Sequence, residues 1–458
     1  MSTFWSVAQD TIKLDSTTLV TRTLVQDLVI PWDLHWAADG WIWFNERDGD
    51  IFRLHPDSLT LIKVFTIPDV YQSEDNSGSH GFALHPDFPF SPYAYAHYTN
   101  ELFNSKLVRF TYSFEQETFV DSTVLMPKIG GSITHNGSRI VFDENNLLYL
   151  SIGDAYETEN TYDVDDENGK ILRCTDSGEI PEDNPFPNSY TYSLGHRNPQ
   201  GLVFGKNSLL YSSEHGDATD DELNLIEKGR NYGWPLVEGF CDNPSEQQSC
   251  DSMNVHEPMM VWTPTYAPGG LAYFNHPSIP EWKNCLMQTF LKRRMLTVMP
   301  LTDDGLAIKD NQRWEYLTDR FGRLRDVLVT PNGRIFIATS NQETNGQWVT
   351  PDNYDKIIEI KNIDYEYASG VAEPPVLASR IFPNPAESGR FWMSIPTGDT
   401  ELEIRITDIK GNLVYIETLT SYYPGLWHIE TNIAQDGIYI VNYATNSANG
   451  AEKIVIVK

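Results

Sequence analysis

Five short segments of this chain carry side chains suited to chemistry. The first is "SITHNGSRIVFDENNLLYLSIGD", in which His135 sits in a turn ahead of a strand pair that ends in Asp154. A histidine is poor strand filler and changes charge near neutral pH. Its two readings are a surface turn residue and a general base. The second segment, "YSLGHRNPQGL", sets His196, Arg197 and Asn198 in a turn bounded by Gly and Pro. The third, "SSEHGDATDDELNLI", joins His215 and Gly216 to a dense acidic run. That run reads either as a solvated loop or as a holder of a hard cation, for which carboxylates and turn carbonyls are the preferred ligands. The fourth, "FLKRRML", reads as an apolar strand with Lys292 and two arginines inside it. The fifth, "FGRLRDVLV", spaces Arg323 and Arg325 two apart, on one face of a strand. Salt bridges to the abundant carboxylates would account for either basic pair alone. Several converging cations also fit a bound polyanion, because each guanidinium offers a fork to a carboxylate or phosphate.

Elements must bring these segments together. "WAADGWIWFNE", "FDENNLLYLSIGD", "FGKNSLLYSSEHG" and "VTPNGRIFIATS" share one form: a turn bearing Gly, Asn or Asp that feeds an alternating apolar strand. Hairpins repeated over a few hundred residues predict a β-propeller, whose loops converge on one axis. A sandwich array is the competing architecture. Sustained helical periodicity is scarce. After Tyr365 the Pro-bearing "EYASGVAEPPVLASR" reads as a linker. Beyond it, alternating strands around a "KGN" turn predict a small β-sandwich of about 75–80 residues. The expected division is 1–365, a linker over 366–380, and 381–458.

Composition agrees with an all-β protein: 458 residues, 12% aromatic, with 30 glycines and 27 prolines. A formal net charge of -31 argues against nucleic acid and anionic membrane as partners. No apolar run is long enough to span a bilayer. The four cysteines form no CxxC pair, which argues against structural zinc. Cys241 and Cys250 flank the polar "CDNPSEQQSC", whose ends can meet in a disulfide suited to an exported protein. Cys174 and Cys285 lie in apolar strand contexts and read as buried thiols. The N-terminal "MSTFWSVAQDTIKLDS" does not have the form of a secretory signal. The protein therefore either stays inside or has had its signal removed.

From Leu28 to Lys361 the chain resembles the soluble quinoprotein sugar dehydrogenases, the glucose/sorbosone dehydrogenase family. The resemblance rests on "VIPWDLHWAADGWIWFNERDGDIFRL", "GFALHPDF", "HNGSRIVFDENNLLYLSIGD", "GHRNPQGL", "DDELNLIEKGRNYGWP", "TPTYAPGGLAYF", "LKR" and "RLRDV", in that order. It implies a six-bladed propeller that binds pyrroloquinoline quinone (PQQ) and calcium and oxidises a sugar. It places His135 as general base and Asp154 as its orienting carboxylate. Arg197, Asn198, Thr265, Lys292, Arg323 and Arg325 fall on quinone-binding positions. Gly216 and Asp217 fall where two carbonyls bind calcium, and Asn76 falls where a glutamine meets the substrate. His215 stands where the best-known glucose enzymes have glutamine and falls beside the quinone, to pack on it or bond to it. Asp217 stands where proline is common, and its carbonyl can still serve as ligand. Thr134 in place of aspartate and Asn76 in place of glutamine mean that the sugar need not be glucose. The tail, through "FPNPAESGRF", "ITDIKGNLV", "GIYIV" and "KIVIVK", resembles the type IX secretion sorting domain of Bacteroidetes, which implies export. Its alternative is a carbohydrate-binding or spacer sandwich. For the propeller the competing functions are a partner-binding propeller without quinone and a calcium lactonase. A binder would not need His135, Lys292, Arg323 and Arg325 together, and a lactonase would need side-chain carboxylates around its metal.

Overall fold

The computed structural model describes residues 11–72, 77–89, 91–342, 354–367, 379–382, 384–387, 389–395, 397, 399–420 and 425–457. The large unit, which runs to Tyr367, contains six antiparallel sheets among its described residues. The first comprises Pro31–Trp36, Ile42–Glu46, Asp50–His55 and Thr60–Thr66. The next four open on Ser79–Leu84, Ile140–Phe142, Pro199–Phe204 and Pro268–Phe274, and each is a four-stranded meander in chain order. The sixth takes Leu324–Val329, Ile335–Thr339 and Asp355–Asn362 from the end of the unit and Thr18–Leu28 from its start. Leu19 pairs with Asn362 and Leu28 with Asp355, so the two ends of the unit share one sheet.

The four repeated sequence fragments form the first hairpins of the first, third, fourth and sixth sheets, as in Leu34 opposite Phe44 and Val327 opposite Ile337. Burial falls from strand to strand. Ile42–Glu46, Leu148–Ile152 and Ile335–Thr339 are buried at every position, whereas Thr60–Thr66 is largely exposed. Strands covered on both faces carry near-continuous apolar runs, and strands wet on one side do not.

One ion cluster shows where the sheets converge. Arg139, just ahead of the third sheet, places Nη1 2.6 Å from Asp33 Oδ1 in the first and 3.1 Å from Asp326 Oδ1 in the sixth. Its Nε donates to the Gln200 carbonyl in the fourth sheet at 3.2 Å. Asp33 Oδ2 accepts from Phe82 N in the second sheet at 3.1 Å. In the fifth sheet Gly270 lies so close that a Cβ there would stand 1.9 Å from Asp326 Oδ1. Opening strands of all six sheets thus meet at one buried, charge-compensated point, the arrangement of a β-propeller.

Two elements differ from the sequence reading. "CDNPSEQQSC" is not a loop. Pro244–Met253 is an α-helix, capped by Asn243 Oδ1, which accepts from Ser245 N at 3.2 Å and Glu246 N at 3.1 Å. An Asn cap followed by Pro at the first helical position is a strong start signal, and it outweighs the weak amphipathicity of the segment. Cys241 and Cys250 are disulfide-bonded across this helix, and Cys174 and Cys285 are buried free thiols. "FLKRRML" is not one strand either. Cys285–Phe290 ends at its first residue and Met295–Pro300 begins at its sixth, so Lys292, Arg293 and Arg294 occupy the turn between them. Arg294 adopts φ 56°, which a strand would not allow.

The second unit has two sheets among its described residues. Arg380–Phe382, Arg390–Ser394 and Leu426–Glu430 form one, and five strands that include Glu401–Asp408, Gly437–Ala444 and Asn449–Val457 form the other. Phe391, Met393, Ile404, Trp427, Val441 and Ile454 belong to one apolar core of this unit. Among the described residues no helix is long and apolar enough to cross a membrane.

Candidate active site

A cavity of about 230 Å³ opens in the large unit, with His135, Asn198, His215, Arg323 and Arg325 in its wall. Eight separate stretches of the chain supply its wall. His135 adopts φ 55° on the loop ahead of the third sheet. That loop crosses the following strand at close range: a Cβ on Gly153 would stand 2.0 Å from the His135 carbonyl. Only glycine allows the approach, which places the imidazole beside Asp154.

His135 Nδ1 lies 2.8 Å from Asp154 Oδ1. The same carboxylate accepts from Tyr156 N at 3.0 Å and, through Oδ2, from Trp234 Nε1 at 2.8 Å. Two of these donors are obligate N–H groups, so the carboxylate acts as acceptor throughout and the Nδ1 proton stays on the imidazole. Nε2 is then the nitrogen with a free lone pair. Asp154 is fully buried and its own N–H is anchored on the Arg197 carbonyl at 2.8 Å.

Asn198 Oδ1 accepts from Gly137 N at 3.0 Å, which ties the His135 loop to the fourth sheet. His215 Nε2 donates to the Pro268 carbonyl at 2.8 Å, and its Nδ1 faces Asn198 Nδ2 at 3.4 Å. Desolvation pulls the His215 imidazole down to about 3, with Arg325 and Arg197 acting in the same direction. His215 is therefore neutral and serves as a bridge between sheets rather than as an acid.

Arg325 lies with its guanidinium carbon 3.9 Å from the centroid of Trp32, and its Nη1 donates to Gln200 Oε1 at 2.7 Å. Arg323 Nε donates to the Ser340 carbonyl at 3.1 Å. Arg197 stacks over Trp234 at 5.1 Å and pairs with Asp217 at 2.8 Å. Lys292 and Thr265 bond to each other at 2.7 Å, and the cavity wall takes their neighbour Leu291 instead. Gly216 N donates to Asp221 Oδ1 at 3.0 Å. Asn76 lies outside the described residues.

The acidic run divides. Asp217 is exposed, whereas Asp221 and Glu222 are buried. Burial raises the Asp221 carboxyl to about 6 although it accepts from Gly216 N and Ala267 N. Asp221 thereby fastens the turn after His215 to the turn before Pro268.

Sequence reasoning gave no role to Trp32, His80, Tyr156 or Gln200 in the wall, or to Trp234 behind Asp154. Trp32 in "VIPWDLHW", Gln200 in "GHRNPQGL" and Trp234 in "GRNYGWP" stood in segments already singled out, whereas His80 and Tyr156 did not. In a chain with net charge -31, no Asp or Glu lines the cavity among the described residues. Thr134 Oγ1 is buried at the same wall without a protein partner. Two guanidinium groups, an orphaned hydroxyl and no carboxylate fit a planar polyanion.

Fold and cavity together are those of a quinoprotein oxidoreductase. The PQQ-bound aldose sugar dehydrogenase of Streptomyces coelicolor superposes with a TM-score of 0.65 at 30% identity, over 75% of this chain and 98% of that one. The chain belongs to the glucose/sorbosone dehydrogenase family, whose model matches residues 28–349. Quinoprotein glucose dehydrogenase B of Acinetobacter calcoaceticus is 36% identical over 422 residues, covering 71% of this chain and 86% of that protein. Aldose sugar dehydrogenase YliI of Escherichia coli is 33% identical over 240 residues, covering 50% of this chain and 63% of that protein. Residues 380–457 match the secretion system C-terminal sorting domain, so the chain also carries a type IX sorting tail.

Proposed function

We propose that this protein is an exported, PQQ- and calcium-dependent aldose dehydrogenase that oxidises the C1 hydroxyl of the cyclic sugar to the lactone. The observation that carries the reading is His135, held 2.8 Å from the buried Asp154, in the wall of a cavity that Arg323 and Arg325 also line. Arg323, Arg325, Asn198 and Thr134 would hold the quinone, with His215 beside it and Arg197, Thr265 and Lys292 at the rim. When bound, PQQ supplies the acceptor for the hydride that leaves C1. His135 takes the hydroxyl proton at Nε2. Asp154 keeps Nδ1 protonated, fixes the ring and stabilises the positive charge as it forms. Burial of the Asp154 carboxylate keeps water from competing for that charge. Calcium would rest on the carbonyls of Gly216 and Asp217, because the Asp217 carboxylate is already taken by Arg197. Asn76 is the proposed substrate contact.

The reading extends to the whole chain. The six sheets are six blades of a propeller over residues 1–365, residues 366–380 are a linker, and residues 381–458 are a β-sandwich sorting domain. The tail directs the protein through the type IX machinery to the cell surface or the medium. Truncation after Leu377 leaves turnover unchanged, because each unit has its own apolar core. Pulse-chase in a host with the secretion system shows the truncated protein retained in the cell. Loss of turnover in the soluble truncated protein would contradict the division.

The function itself is tested by loading the purified full chain with PQQ and calcium, screening aldoses with an artificial dye, and identifying the product. Lactone formation that requires both additions supports the reading. Tight PQQ binding without oxidation of any aldose would favour a binding propeller.

A further inference from the structure

One ring in the cavity wall has no part in the reading so far. Tyr156 lies two residues beyond Asp154, and its ring stacks on the His135 imidazole with centroids 4.3 Å apart and planes 28° apart. Tyr156 is 59% exposed and lines the cavity. We infer that Tyr156 is a positioning residue that sets the plane of the His135 imidazole for proton transfer. This inference rests on the reading of His135 as the base.

The argument is geometric. The bond at Cγ and a single hydrogen bond from Nδ1 to Asp154 hold one edge of the imidazole, but coupled turns about its two side-chain torsions still let the ring tilt. The direction of Nε2, which must meet the substrate hydroxyl, then depends on a second constraint. The stacked phenol ring supplies one, because the face-to-face contact is lost as the imidazole turns. Asp154 Oδ1 accepts both from His135 Nδ1 and from Tyr156 N, so the carboxylate fixes both rings from one atom.

The backbone shows how this placement is achieved. Ala155 adopts φ 48° and Tyr156 φ 64°, two successive left-handed residues of which neither is glycine. Such residues persist only where the surroundings over-determine them, and they concentrate at functional sites. The turn is closed by Ala155 N on the His135 carbonyl at 3.2 Å, next to the Tyr156 bond to Asp154. A loop that needed only to turn would gain from glycine here. This one keeps a side chain whose ring lands on the imidazole.

The test uses the full chain loaded with PQQ and calcium, with Tyr156→Leu, Tyr156→Phe and His135→Gln compared against the parent. Leucine keeps bulk without a ring, and phenylalanine keeps the ring without its hydroxyl. Tyr156→Leu should lower kcat by about 10- to 100-fold with KM and the PQQ titration unchanged, and Tyr156→Phe should restore the parental rate. A readout in the unloaded protein is the imidazole NMR signal of His135, identified by its loss in His135→Gln. Its ring-current shift should survive in Tyr156→Phe and disappear in Tyr156→Leu. A Tyr156→Leu variant with parental kcat, or a Tyr156→Phe variant as slow as the leucine one, overturns the inference. If the loaded parent oxidises no aldose, or His135→Gln matches it, the reading of the base has failed and the inference falls with it. If the parent is active, His135→Gln inactive and Tyr156→Leu parental, the inference alone fails.

Discussion

His135→Gln lowers aldose oxidation by roughly 10²–10⁴-fold, the contribution expected of a positioned general base. Glutamine reaches a similar distance and still meets Asp154, but it has no lone pair basic enough to take the hydroxyl proton. The substitution leaves Thr134 in place, and the other proposed contacts to quinone and calcium lie on other loops, so PQQ titrates as in the parent. Stopped-flow kinetics with a saturating dye separate the chemical step from binding. A near-parental rate would return His135 to the role of a turn residue held by Asp154.

The second large effect falls on cofactor binding. Arg325→Ala weakens PQQ by about 2–5 kcal/mol, which is about 30- to 4,000-fold in Kd. Arg325 is 2% exposed, stacked on Trp32 and directed by Gln200, so its position is set before any ligand arrives. Losing a pre-positioned guanidinium leaves a cofactor carboxylate desolvated without its partner. Arg323→Ala should cost less, because Arg323 is only half-buried and water can replace part of its charge. Titration of the bound-quinone absorbance measures both variants. An Arg325→Ala protein that binds PQQ like the parent would remove the anion site from the account.

Much of this was legible in the sequence where the signal is local. Hairpins such as "VTPNGRIFIATS" announce themselves through turn residues and alternation, and they appear as strand pairs in the stated places. The arginines of "RLRD" and the histidine of "THNG" stood out because charge and imidazole are rare in such strands and turns. What was not legible depends on long-range closure. Trp32, His80, Tyr156 and Gln200 come from four separate segments, and although Tyr156 and Gln200 lie two residues from Asp154 and Asn198, no local pattern tells that the four side chains face one cavity. In "DATDDEL" the exposed Asp217 and the buried Asp221 and Glu222 read alike. Asp221 is buried because turns from two sheets direct their N–H groups at it, a contact across more than forty residues, as with Ala267. "FLKRRML" misled because its apolar ends match a strand, while the left-handed Arg294 that breaks it leaves no mark on composition.

The central claim is that one cavity brings a base, an anion-binding wall and a sugar together. It is tested most directly by anaerobic mixing of the PQQ- and calcium-loaded protein with an aldose, with no electron acceptor present. The account predicts that the absorbance of the oxidised quinone bleaches in a single turnover, one lactone per bound quinone, and that His135→Gln binds the same quinone but bleaches roughly 10²–10⁴-fold more slowly. A loaded parent protein whose quinone spectrum stays unchanged with every aldose, or a His135→Gln protein that bleaches at the parental rate, would contradict it.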